Sequence, residues 1–301
     1  MPSFQRVLLA TDFSPASQAA FETALGVCRT LRASLVLLHV FEYADAAPPE
    51  AGGRPIELET FYEEARTRLD GLKRTAQRAG IVCETVIGGG APSLTILDTV
   101  ATGKVDLAIL GTNALHGFER LIFGSVAEDV LRKSPCPVLT VGPQIQDPAG
   151  IAEISGPTVF ATDFDATTIR AVRYAESLSK ATGSPLHCLH VLPRSVEDTS
   201  EECALPRIVT EALQQIAAES GTAIEAPVCA VAYGSEISNA VVDYARCKNA
   251  KLIVLGVRQA SMLASHVPAH IAYRIITEAP CPVLTMAFAS RRHTHAMAAC
   301  L

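Results

Sequence analysis

Residues 7–13, Val7-Leu8-Leu9-Ala10-Thr11-Asp12-Phe13, return at positions 158–164 as Thr158-Val159-Phe160-Ala161-Thr162-Asp163-Phe164. Leu38-His39-Val40 returns as Leu189-His190-Val191 at the same offset of 151. Pro135-Cys136-Pro137-Val138-Leu139-Thr140 returns as Pro280-Cys281-Pro282-Val283-Leu284-Thr285 at an offset of 145. The offset shrinks where the first copy carries Ala46-Ala47-Pro48-Pro49-Glu50-Ala51-Gly52-Gly53, a loop by its Pro and Gly content. Units of about 140 residues are far longer than the 20–50 residues of a solenoid repeat. The repeat therefore predicts two complete domains, residues 1–143 and 157–289, with a linker over 144–156 and a tail over 290–301.

Working outward within one copy, Val7–Ala10, Leu35–Val40, Val82–Ile87, Leu107–Leu110 and Val138–Val141 are short apolar runs of the kind buried on both faces of a parallel sheet. Between them lie amphipathic stretches. Leu58, Phe61, Tyr62, Ala65, Leu69, Leu72 and Ala76 recur at helical spacing, with Arg66, Arg68, Lys73 and Arg74 on the other face. Ser14-Pro15 reads as an N-cap followed by proline in the first turn. Five strands alternating with four helices predict a doubly wound parallel α/β sheet with right-handed crossovers. The two copies carry nearly the same last strand, Val138-Leu139-Thr140-Val141 and Val283-Leu284-Thr285-Met286. An open sheet edge is a template for pairing, and a covalent linker raises the local concentration of one edge for the other. These two strands are expected to meet, forming an internal pseudo-dimer. Further pairing of two chains into a homodimer stays open.

Composition narrows the function classes. The 301 residues are 49% hydrophobic and 19% charged, which excludes a disordered chain. Twenty-five basic against 31 acidic side chains leave a net charge of −6, without the basic footprint of a nucleic-acid binder. Tryptophan is absent and aromatics are 5%, which argues against single-strand stacking platforms. No run is long enough for a membrane span, and the first residues do not resemble a signal peptide. Nine cysteines without a Cys-x-x-Cys pair read as reduced core thiols in a cytoplasmic protein, with no finger-type metal spacing.

In doubly wound sheets ligands bind beyond the carboxyl ends of the strands, at the switch in strand order. The first strand ends at Thr11-Asp12, the second at His39-Val40 and the fourth at Gly111-Thr112. A loop with Gly117 then leads to Gly124-Ser125-Val126 at a helix start. Glycines allow close backbone approach, and a helix N-terminus presents unpaired N–H groups, so the loop is suited to a phosphate chain. Ser125 with Glu128 also spells a Ser-x-x-Glu capping box, which predicts Ser125 as the helix cap.

Both halves resemble the universal stress protein family across nearly the whole chain. The resemblance rests on Val7 to Asp12, Asp106 to Thr112, Gly124 to Arg132 and Pro135 to Leu139. Nucleotide-binding members carry Gly-x2-Gly-x9-Gly-Ser/Thr after the fourth strand, and Gly111, position 114 and Gly124-Ser125 keep that spacing. The resemblance implies a Rossmann-like, adenine nucleotide α-hydrolase-like fold. It also implies ATP, with magnesium, as the ligand. Asp12 and the backbone of Val40 would contact adenosine, Gly111 would flank the ribose, and Gly124, Ser125 and Val126 would hold phosphates. One position departs, since Ala114 replaces the second glycine. The second half departs further, with Gln259, Met262 and Ala269-His270 at the glycine positions, and is expected to have lost the site.

No catalytic residue or metal ligand set is assigned. Ser125 lacks His and Asp partners at triad spacing, and no Gly-x4-Gly-Lys-Ser/Thr loop occurs. His116 and Arg120 read as solvated loop residues, His39 and His190 as hydrogen-bonded strand-end histidines, and Arg291 to His295 as a frayed terminus. Three functions remain: a cytoplasmic stress-response protein acting through ATP occupancy, a stress protein acting only through protein partners, and a slow nucleotide hydrolase. The last lacks the Ser-Gly-Gly-x-Asp-Ser loop of that class.

Overall fold

A computed structural model of the chain describes residues 4–42, 55–112, 124–145, 156–166, 168–193, 205–220, 226–258 and 266–288. The first half runs β1 (Arg6–Ala10), α1 (Pro15–Leu31), β2 (Ser34–Phe41), α2 (Pro55–Arg78) and β3 (Cys83–Gly89). It continues with α3 (Pro92–Thr102), β4 (Leu107–Gly111), α4 (Ser125–Lys133) and β5 (Val138–Val141). The second half repeats this order with β6 (Thr158–Ala161), α5 (Val172–Thr182), β7 (Leu186–Leu192), α6 (Leu205–Ser220) and β8 (Val228–Tyr233). It ends with α7 (Ile237–Cys247), β9 (Leu252–Arg258), α8 (His266–Glu278) and β10 (Val283–Phe288).

The strands form one sheet in the order β3-β2-β1-β4-β5-β10-β9-β6-β7-β8, which reads as the same half twice, end to end. Neighbours within each half are parallel, and only β5 and β10 run antiparallel. In each half the order reverses beside the first strand, between β1 and β4 and between β6 and β9, which opens a crevice there. The apolar strands are buried on both faces because helices cover both. Leu9, Leu37 and Phe160 pack under α1, α2, α5 and α6 through Phe21, Leu69, Leu178 and Leu213. Leu8, Val36 and Val159 pack under α3, α4, α7 and α8 through Val100, Val130, Val241 and Ile275.

The halves meet as the repeated edge requires. Val283 lies opposite Thr140, Leu284 opposite Leu139 and Thr285 opposite Val138, so a pseudo-twofold axis passes through the leucine pair. The Thr140 hydroxyl donates to the Val283 carbonyl at 3.1 Å, and the Thr285 hydroxyl donates to the Val138 carbonyl at 3.2 Å. Both hydroxyls are buried and satisfied by the opposite strand. The antiparallel join also removes what would be an open, largely apolar edge on each half.

Among the described residues Cys28, Cys83, Cys188 and Cys281 are buried, as core thiols should be, whereas Cys247 is exposed. Burial pushes the Cys28, Cys188 and Cys281 thiols up to about 12, which keeps them protonated and inert. No helix among the described residues is long and apolar enough to cross a membrane.

Candidate functional site

The site begins with the turn that follows β1. Thr11 is buried; its hydroxyl accepts from the Phe13 N–H at 3.0 Å and donates to the Ser17 hydroxyl at 3.0 Å. Ser14 caps α1 as its sequence predicts, accepting from the Ser17 N–H at 3.3 Å, with proline in the first turn. Asp12 accepts from the Ser14 N–H at 2.9 Å. Partial burial works against its carboxylate. Hydrogen bonds from the Ser14 hydroxyl and N–H and from the Ser17 hydroxyl outweigh that cost and hold the carboxyl below its ordinary value. Asp12 is therefore an anionic acceptor at neutral pH.

His39, at the end of β2, places Nδ1 2.8 Å from the Thr11 carbonyl. A carbonyl accepts only, so Nδ1 carries the proton and Nε2 is left as an acceptor. The ring also lies 4.5 Å from Phe13 and 4.8 Å, edge-on, from Phe41. His190 repeats the arrangement, 2.7 Å from the Thr162 carbonyl and 4.7 Å from the Phe164 ring. Both histidines are half-buried and hydrogen-bonded, as their repetition suggests.

Two glycines of the motif have different reasons to be glycine. A Cβ built on Gly111 would lie 2.2 Å from the Ala16 carbonyl oxygen and 2.8 Å from the Ser17 nitrogen, so the start of α1 rests directly on this residue. The fold itself demands that glycine. Gly124 has φ −60° and ψ 135°, an ordinary conformation, and among the described residues no atom lies within 4 Å of an added Cβ. Neither backbone strain nor packing against the described residues requires a glycine there.

Gly124, not Ser125, is the N-cap of α4, and no side chain caps that end. The predicted Ser125 capping box therefore does not form. Glu128 instead sits 3.2 Å from Arg132 one turn on, and its N–H bonds to the Gly124 carbonyl at 2.9 Å. Ser125 is the first helical residue, so the N–H groups of Ser125, Val126 and Ala127 have no intrahelical acceptor. They carry the positive end of the helix dipole.

All six residues singled out from the sequence, Asp12, Val40, Gly111, Gly124, Ser125 and Val126, line one cleft of about 910 Å³ at the β1/β4 reversal. Thr11, Ser17, His39 and Thr112 add polar side chains to the same lining. Phe41, Glu42, Phe61, Pro92 and Ile96 line the same cleft and were not expected from the motif. Their signal is tertiary, because they come from β2, α2 and α3. Ala114, His116, Gly117 and Arg120 lie outside the described residues, as do Gln259, Met262 and the tail from 289 onward.

The second half has a cavity at the equivalent place, lined by Asp163, His190, Val191, Gly256 and Ile271, but it measures about 150 Å³. Small-molecule sites span roughly 300–1,000 Å³. The first cleft falls inside that range and the second well below it. Among the described residues no group of three or more His, Cys, Asp or Glu side chains is placed to hold a metal ion.

The model of the universal stress protein family matches residues 3–142 and 156–286, once in each half. A universal stress protein of Methanocaldococcus jannaschii is 30% identical over 142 residues, 46% of this chain and 82% of that protein. One from Bacillus subtilis is 30% identical over 146 residues, 46% of this chain and 99% of that protein. The crystal structure of a universal stress protein from Archaeoglobus fulgidus has the same fold, with a TM-score of 0.72 at 21% identity, covering 94% of this chain and 98% of that one.

Proposed function

The chain belongs to the universal stress protein family, with a family domain in each half, and from that premise we propose that its first half binds ATP and acts by occupancy in the cytoplasm. Gly124 carries this reading. A glycine that neither strain nor packing against the described residues requires, at a helix start whose first N–H groups have no intrahelical acceptor, is explained by a ligand that comes as close as a Cβ would. The cleft is large enough for a nucleotide and is lined by both polar and apolar side chains.

Bound ATP would supply a phosphate chain for the α4 N-terminus and a nucleoside for the part of the cleft beside Asp12 and Val40. Gly124, Ser125 and Val126 hold the phosphates through backbone N–H groups and the helix dipole. Magnesium arrives with the nucleotide. Asp12 is anionic and so belongs at the nucleoside end, where it accepts a hydrogen bond from an amine or hydroxyl, beside the backbone of Val40. Gly111 flanks the ribose with backbone only, since the start of α1 occupies the space of a side chain. In this reading occupancy of the cleft, rather than turnover, is the output. The second half, with its small cavity, serves as a structural partner.

The test is the nucleotide content of the purified protein, released by denaturation and identified by mass spectrometry. Stoichiometric adenine nucleotide, lost in a Gly124→Val variant, is the expected result. A nucleotide-free protein that also fails to bind added Mg-ATP in calorimetry overturns the reading.

A further inference from the structure

Helix α2 buries an apolar stripe against the sheet through Ala65 (4% exposed), Leu69 (1%) and Ala76 (0%). One turn earlier the same stripe continues to Phe61, which is 52% exposed. This last ring of the stripe lines the cleft, together with Phe41 and Glu42. The adjacent Tyr62 ring lies 5.8 Å from the Phe41 ring, while the Phe61 ring is left half in water. An aromatic ring left half in water at the mouth of a cleft is a surface that a ligand can cover.

The opposite wall comes from the other side of the sheet. Helix α2 packs on one face, through Leu69, and α3 on the other, through Ile96 and Val100. Both Pro92 and Ile96 of α3 line the cleft. A flat ring entering over the end of β2 therefore passes between Phe61 and an aliphatic wall. The second half lacks this feature. Its α6 stripe, Val209 and Leu213, continues one turn earlier to Leu205, an aliphatic residue that does not line the smaller cavity. The aromatic occurs in the half that has the large cleft.

We propose that Phe61 stacks on the base of the bound ligand, so that the cleft selects molecules carrying a flat heterocycle as well as a phosphate chain; this rests on the reading of the cleft as an ATP site. Stacking is tolerant of base identity because every base has a π face. Phe61 thus recognises the presence of a base, and the polar groups around Asp12 and Val40 recognise its edge.

The experiment is titration of the full chain with Mg-ATP in calorimetry for the unmodified protein and its Phe61→Leu, Phe61→Tyr and Phe61→Trp variants. Phe61→Leu is expected to weaken binding about tenfold, within the range of base–aromatic stacking. Phe61→Tyr should keep the affinity, and the unliganded melting temperatures should agree because the ring is half-exposed. The chain has no tryptophan, so Phe61→Trp introduces a single indole whose emission should be quenched as ATP saturates the site. If the unmodified protein binds ATP but Phe61→Leu binds it equally well and the indole emission does not change, the stacking role is wrong and the ATP reading stands. If the unmodified protein does not bind ATP, the ATP reading fails and the stacking role falls with it.

Discussion

Gly111 and Gly124 belong to one sequence motif, yet they answer to different forces. Gly111→Ala would drive a methyl group to 2.2 Å from a backbone carbonyl, which α1 cannot relieve without moving. We expect it to lower stability by about 1–3 kcal/mol, as overpacking does, measured by urea denaturation of the unliganded protein. Gly124→Val meets no atom of the described residues. It should cost at most about 1 kcal/mol of stability, through a less favoured capping residue, while ATP affinity falls about tenfold or more as the Cβ and methyls enter the phosphate path. The matching Ala269→Val change in the second half should leave ATP affinity alone, and equal affinity losses at the two positions would end the asymmetric assignment. Phe13 shows the same care at the residue scale. It holds φ at +61°, unusual for a bulky side chain, and Phe164 holds +60°. The strain recurs in the half with the small cavity, so it belongs to the β1–α1 turn, where Thr11 or Thr162 accepts from the phenylalanine N–H.

Elements transmit these local choices. Strand β7 and helix α7 are joined by His187, 8% exposed, whose Nδ1 lies 2.9 Å from the Tyr244 hydroxyl. Burial, and then the nearby Lys248 ammonium, hold this imidazole below its ordinary value of 6.5. A histidine depressed in the fold stays neutral there while the unfolded chain takes up its proton. The stability it contributes is thus full above about pH 6.5 and is lost as pH falls toward the lower folded value. Between about pH 7 and about pH 5.5, the unmodified protein should lose more of its urea midpoint than a His187→Gln variant does. Equal losses would mean that this pair does not set the acid sensitivity of the second half. Helix α4 illustrates the same scale from the other side. Its acidic first turn and basic last turn, with Glu128 paired to Arg132 and Asp129 to Lys133, suit the dipole that the cleft exploits.

At the scale of the whole molecule the decisive feature is the β5–β10 join. Leu139 and Leu284 face each other at 3% and 1% exposure, on the pseudo-twofold axis. Gly142, just after β5, admits α8 so closely that an added Cβ would lie 2.3 Å from the Ile276 carbonyl oxygen. Burying an unpaired carboxylate at the axis with Leu139→Asp should loosen the halves from each other, since an isolated charge there has no partner. We expect faster proteolytic cleavage between residues 146 and 155 in this variant than in the unmodified protein, with Gly142→Ala intermediate. Indistinguishable cleavage rates for all three would show that the join does not hold the halves.

The two-domain repeat, the alternation of strands and helices, the α1 cap and the pairing of the last strands were all legible in the sequence. The reason is that each depends on local pattern: buried strands must be continuously apolar, Ser-Pro preorganises a helix start, and two copies of an apolar edge that no helix covers have each other as nearest partner. That Asp12, Val40, Gly111, Gly124, Ser125 and Val126 line one cleft follows from the sheet order, because strand ends at a reversal converge. Three things depended on the folded molecule. The cap of α4 shifted from Ser125 to Gly124, because where a helix begins is settled by how its first turn meets the sheet. The apolar spacing of α2 runs through Phe61, Ala65 and Leu69, but only the fold shows that Ala65 and Leu69 are buried while Phe61 is half-exposed and lines the cleft. The difference between a cleft of about 910 Å³ and one of about 150 Å³ arises from side chains that meet only in three dimensions, since volume is a property of what several elements leave unfilled.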